Sequence, residues 1–156
     1  MKNQQNGYSL TEIMVSVGLL GILSSIALPT YFGEVEKSSQ KETQSVIATI
    51  PPIISAYIDS TGELPTKWDE LSSIAAVMTN NGPATGDLTT TITLPNSKYE
   101  LSVAGPAESI YIVTASPLNE VNENRFPIYS CFNVSNGASD LKSGNGIQTK
   151  ASLNCG

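Results

Sequence analysis

The sequence contains no histidine, and only eight of its 156 residues are Lys or Arg, against fourteen Asp or Glu. Without histidine, the His-based catalytic triads and imidazole metal sites have no carrier. The two cysteines, Cys131 and Cys155, do not form a CxxC pair, and no Gly-rich phosphate loop follows a strand-like stretch. Binding nucleic acid rests on a basic patch that neutralises phosphates, and with a formal charge of −6 nucleic acid is not expected as a partner of the bulk surface. The carboxylates are scattered singly or sit one or two apart on helix surfaces, as Glu34 and Glu36 or Asp69 and Glu70 do, where they do not converge. No dense run of Asp and Asn resembles a calcium loop. An enzyme reading therefore lacks its parts, and the expectation is no catalysis, no metal and no cofactor.

Charge is nearly missing from residues 7–31, GYSLTEIMVSVGLLGILSSIALPTY, where Glu12 is the single charged side chain. A helix over residues 8–28 would be about 31 Å long, enough to cross the hydrocarbon layer of a bilayer. Glu12 is the misfit, because an ionised carboxylate inside a span costs on the order of 2.5 to 3.5 kcal/mol. Residues 1–7 are short and polar with one cation, Lys2. A cut between Gly7 and Tyr8 would remove Lys2 and create an α-amine four residues from Glu12, supplying the missing positive charge.

This stretch resembles the class III signal and N-terminal helix of type IV pilins, whose pattern is a Gly, an aromatic residue, and a Glu at the fifth position after the cut. Gly7, Tyr8, Glu12, the internal Gly21 and Pro29 fall at the family's positions. Two departures are mild: Tyr8 stands where Phe is usual, and Thr11 where an aliphatic is usual. The resemblance implies cleavage between Gly7 and Tyr8 by a prepilin peptidase, N-methylation of Tyr8, and pairing of Glu12 with the Tyr8 amine of a neighbouring subunit in a helical filament. It also implies an assembly platform in the inner membrane as partner. The precursor would be a single-pass inner-membrane protein and the product an extracellular pilus. Two other readings of the stretch are a secretory signal cut after Ala27, with small Ser25 and Ala27 placed for it, and a plain membrane anchor. The first has a poor cationic region and is interrupted by Glu12; the second gives Glu12 no role.

Removing residues 1–7 leaves 149, and a stalk helix of roughly 50 residues leaves about 100 for one globular head. The expected organisation is a leader at 1–7, a stalk helix at 8–60 with its transmembrane part at 8–28, and a head at 61–156. Pro29 with Gly18, Gly21 and Gly33 predicts, in a filament, a kinked or locally melted segment between Gly21 and Phe32, with Gly21 and Pro29 as the kink residues; a slight bend at Pro29 in a continuous helix is the other reading. Val46, Ile47, Ile50, Ile53, Ile54, Tyr57 and Ile58 recur at helical spacing and mark the face that packs on the head. Pro51 and Pro52 predict a kink or short break near Ile50, and Thr61, Gly62 and Pro65 end the helix.

Residues 66–78 read as a short helix with Thr66 as N-cap, Asp69 three residues on, and Trp68, Leu71, Ile74, Ala75 and Met78 inward. From Leu88 the period becomes two, through Leu94, and residues 95–98 turn the chain into Tyr99, Leu101 and Val103. Residues 109–115 and 127–134 supply two further strands, with an exposed loop at 116–125 between them. The fold class is α+β: a long N-terminal helix packed on a four-stranded antiparallel sheet, pilin-like.

In the exported context that the resemblance implies, an even cysteine number suggests a disulfide between Cys131 and Cys155, bounding a loop over 131–155; two free buried thiols are the other reading. The segment from Ser135 onward is too polar to build a core on its own, and by resemblance it is the exposed pilin D-region. Asn133, Val134 and Ser135 have the form of a glycosylation sequon. The reading is a pilus structural subunit, similar to a major pilin of Gram-negative type because the head has one terminal loop and no large insertion. A minor pilin, a type II secretion pseudopilin, and a non-polymerising membrane-anchored binding protein are the alternatives.

Overall fold

The computed structural model describes residues 7–118, 126–144 and 152–156. The expected leader therefore lies outside the described residues except for Gly7, as do positions 119–125 of the expected exposed loop and 145–151 of the C-terminal segment. The chain divides into two compact units, Met1–Ser38 and Ser39–Gly156.

From Leu10 onward the first unit is helix. Helix α1 spans Leu10–Thr61, and every residue from 8 to 32 is exposed. Serine and threonine hydroxyls in this apolar run turn back on the helix: Ser16 donates to the Glu12 carbonyl at 2.8 Å, Ser25 to Ile22 at 2.7 Å and Thr30 to Ile26 at 3.1 Å. Polar groups satisfied inside the helix are compatible with an apolar surrounding.

The second unit is built on the later turns of α1. Ile47, Ile50, Ile53 and Ile54 are buried, and Val46, Tyr57 and Ile58 pack against them half-buried. The expected core stripe is thus observed in full. The break expected near Ile50 does not occur, because α1 continues as helix through Pro51 and Pro52. Burial of Ile50, Ile53 and Ile54 on either side of the proline pair outweighs the local preference, each isoleucine contributing about 1.5 to 3 kcal/mol. The helix ends at Gly62, whose φ of 74° and N–H bond to the Ile58 carbonyl at 2.8 Å form a left-handed cap.

Helix α2 is Trp68–Ser72, shorter than the helix expected over 66–78. Its start is shifted one residue from the expected cap. The Glu70 carboxylate, not that of Asp69, accepts the N–H groups of Thr66 and Lys67 at 2.7 and 3.0 Å, while Asp69 accepts the Gly86 N–H at 2.8 Å. Trp68 and Leu71 are buried, but Ile74, Ala75 and Met78 are exposed, contrary to expectation, and Val77 fills the core instead. The chain leaves the helix after Ser72 and forms a small hairpin, β1 at Met78–Thr79 and β2 at Gly82–Pro83.

Among the described residues the main sheet is antiparallel with five strands, one more than expected, in the order β3-β4-β5-β6-β7. These are Ile92–Thr93, Tyr99–Ala107, Ile110–Pro117, Ile128–Asn133 and Ser139–Lys142. The strand expected from Leu88 contracts to two residues. Leu88, Ile92 and Leu94 are all buried, yet Leu88 bonds to Thr66 and Val103, and Thr90 turns back on Asp87, so the early backbone groups are committed elsewhere. The fifth strand, β7, comes from the segment that composition marks as too polar for a core. Its backbone pairs with β6 in register Ser130↔Leu141 and Cys131↔Asp140.

One sheet face, carrying Tyr99, Leu101, Val103, Tyr111, Val113, Ala115 and Ile128, joins the α1 stripe and Trp68 in a single core. On the opposite face Cys131 aligns with Ile112 and Asn133 with Ile110. Cys131 bonds to Cys155, with their Cα atoms 6.1 Å apart, so the terminal residues 152–156 are tied to β6. The amide of Asn133 donates to the Cys155 carbonyl and accepts the Ser135 N–H, each at 2.9 Å. Asn133 is buried, so the sequon nitrogen is a structural tie in the folded unit.

Candidate functional site

The first unit places its chemistry at the start of α1. Gly7 and Tyr8 precede the helix, and Tyr8 is 86 % exposed. Ser9 occupies the N-cap position and Glu12 stands three residues on. The Glu12 carboxylate accepts the Ser9 N–H at 2.9 Å, and the Ser9 hydroxyl accepts the Glu12 N–H at 3.2 Å. The Ser9 hydroxyl also lies 2.9 Å from that of Thr11. Two N–H groups that a helix start leaves without backbone partners are thereby satisfied reciprocally, which is a capping box. The sequence reading missed this role for Glu12, although the signal is present as Ser9-Leu10-Thr11-Glu12 at the head of an apolar run.

Behind that turn, Leu10, Ile13, Met14, Val15, Val17, Leu19, Leu20 and the following large apolar side chains are each more than half exposed. An apolar surface this long has no partner among the described residues of the first unit, and such surfaces mark protein or membrane contacts. Helix α1 contains a stretch long and apolar enough to cross a membrane, with none of it buried. The run closes on two aromatic side chains, Tyr31 and Phe32, whose rings meet edge to face with centroids 6.0 Å apart. Aromatic residues at both ends, Tyr8 and Tyr31 with Phe32, suit the two interfaces of a bilayer. Gly21 and Pro29 lie within this run, and α1 passes through both as helix.

Cys131 and Cys155 belong to the second unit. There Asp140 is the principal titratable group near the disulfide. It accepts the Asn154 N–H at 3.0 Å and pairs with Lys142 at 3.4 Å. The Asn154 bond, with help from Lys142, holds its carboxyl below the ordinary 3.8 against the opposing effect of desolvation. Tyr111 is the other perturbed group. Burial, and then the Glu70 charge, push its phenol up to about 12, and its hydroxyl donates to the Pro65 carbonyl at 2.9 Å. Among the described residues, no group of three or more His, Cys, Asp or Glu is placed to hold a metal ion.

Comparison with known proteins agrees with this picture of the N-terminus. Residues 2–28 match the family model described as the prokaryotic N-terminal methylation motif. The chain is 32% identical over 73 residues to the type II secretion system core protein G of Aeromonas hydrophila, covering 47% of this chain and 51% of that protein. It is 31% identical over 80 residues to the protein of the same name in Vibrio cholerae, covering 51% and 55%. It is also 32% identical over 65 residues to the fimbrial protein EcpC of Eikenella corrodens, covering 42% of each. The chain thus spans about half the length of the curated relatives it matches. No solved structure matches it. A prepilin-type methylation motif, these relatives and an α+β fold of long helix on antiparallel sheet make the chain pilin-like, consistent with the type IV pilin family.

Proposed function

We propose that this pilin-like chain is the structural subunit of a type IV pilus. Its precursor is held in the inner membrane by residues 8–28 and cut between Gly7 and Tyr8 by a prepilin peptidase, which N-methylates Tyr8. An inner-membrane assembly platform then polymerises the product through the N-terminal helix into an extracellular filament. The observation that carries this reading is the apolar run of α1, exposed along its whole length with one carboxylate, Glu12, at its head. Such a helix is stable in a bilayer or against copies of itself, and Glu12 selects between arrangements. In a filament its charge meets the Tyr8 amine of a neighbour and fixes the axial register; in any other packing it is left without a cation and costs on the order of 2.5 to 3.5 kcal/mol. Gly21 and Pro29 weaken the helix between the assembly turn and the second unit, so the filament extends there under load. The chain's work is mechanical, and cutting and methylation are done to it rather than by it.

The relatives named for a secretion system favour a second reading on the same assembly chemistry, a pseudopilin of a type II secretion system. Deletion of the gene separates the two. Loss of sheared surface filaments, with peptides of this chain in the main filament band of the wild type, supports the pilus. Retention of filaments with loss of protein secretion supports the pseudopilus. Intact mass tests what they share: the chain starts at Tyr8, and a chain starting at Met1 or Leu28 with no filaments outside the cell contradicts both.

A further inference from the structure

The Glu12 carboxylate is already held within its own chain. It accepts the Ser9 N–H at 2.9 Å, and the Ser9 hydroxyl in turn holds the Glu12 N–H at 3.2 Å beside the Thr11 hydroxyl. Ser9 is also the residue next to Tyr8, whose amine the proposed cut exposes. We infer that Ser9 is a positioning residue for filament assembly: it fixes the Glu12 carboxylate at the head of α1 before a neighbouring copy arrives. The inference rests on the filament reading above and adds a requirement to it.

Two physical arguments support this role. A carboxylate in an apolar surrounding needs donors at all times, not only once a neighbour has supplied its amine. The capping box provides one in the lone chain, where the filament partner is still missing. Moreover, an ionised carboxylate has about four lone-pair sites on two oxygens, so the Ser9 bond can persist while a neighbour's ammonium group binds. The neighbour then meets a carboxylate whose position is already set, and association does not have to order a free side chain.

The test uses the chain beginning at Tyr8, purified in detergent micelles, with self-association read by energy transfer between labelled copies. Gly is nearly as good an N-cap as Ser, whereas Ala is poor, and Thr keeps the hydroxyl. A role in helix capping alone therefore predicts that Ser9→Gly behaves as wild type. The Ser9 hydroxyl accepts the Glu12 N–H and so positions the carboxylate by closing the turn in which the Ser9 N–H meets it. On that account Ser9→Ala and Ser9→Gly both weaken self-association about fivefold, the factor that a hydrogen bond of ~1 kcal/mol carries, while Ser9→Thr stays near wild type. A Gly variant that associates like wild type, or a Thr variant as weak as the Ala one, overturns the inference. Glu12→Gln is the control for the underlying reading. If it associates as wild type does, the Glu12 pairing itself is wrong; if it fails while the Ala and Gly variants associate normally, only the role of Ser9 is wrong.

Discussion

At Tyr111 a single hydroxyl ties a strand of the sheet to the connection that follows α1, and its surroundings set a pH limit. The phenol's folded value of about 12 lies above its ordinary 10.0. The protonated form is therefore favoured by folding: its stabilisation is fully present below pH 10 and is lost as pH rises towards 12. Tyr111→Phe keeps the ring, removes the bond to Pro65, and lowers stability by about 1 kcal/mol at neutral pH. Urea titrations of the detergent-solubilised chain at pH 8 and pH 11 check both parts, because the variant should lose less stability than wild type between the two. Gly105 is a second residue whose identity is fixed by geometry. It adopts φ 133°, and a Cβ there would stand 2.6 Å from the Ile110 carbonyl oxygen. Gly105→Ala is expected to destabilise by more than about 1 kcal/mol, read as a lower urea midpoint at unchanged slope.

Elements whose burial follows a strict period were legible, and those whose ends depend on distant partners were not. The α1 stripe from Val46 to Ile58 reads directly off three and four residue steps, because the apolar phase survives Pro51 and Pro52. Ile54→Ala is expected to cost about 2 to 5 kcal/mol, measured by chemical denaturation, since Ile54 is fully buried. Helix α2 differs from its expected bounds at both ends. Glu70 rather than Asp69 supplies the capping carboxylate, and Val77 rather than Met78 enters the core, differences of one residue that composition does not encode. Strand β7 was missed because its stability comes from backbone pairing with β6 and from the terminal ties at Cys155 and Asn154, not from apolar side chains. At the N-terminus the reciprocal bond between Ser9 and Glu12 is not legible from charge alone, because a lone acid in an apolar run reads as a charge in need of a partner rather than as half of a helix cap.

On the scale of the molecule, the two units solve different problems with different means. The second unit closes its own core and staples its terminus, and the disulfide between Cys131 and Cys155 is expected to contribute about 3 kcal/mol by restricting the unfolded chain. Replacing both cysteines by Ala should lower stability by roughly that amount while leaving membrane insertion intact, as denaturation and membrane fractionation would show. The first unit leaves its apolar surface open, with Glu12 the one acid of residues 7–31, and in the filament proposed above a trimmed neighbour answers that charge. Filament yield from cells carrying Glu12→Ala, measured by electron microscopy of sheared material alongside the amount of chain in the membrane, tests that arrangement most directly. The account predicts a normal membrane level and filaments lost or sharply reduced; normal filaments from that variant would contradict it.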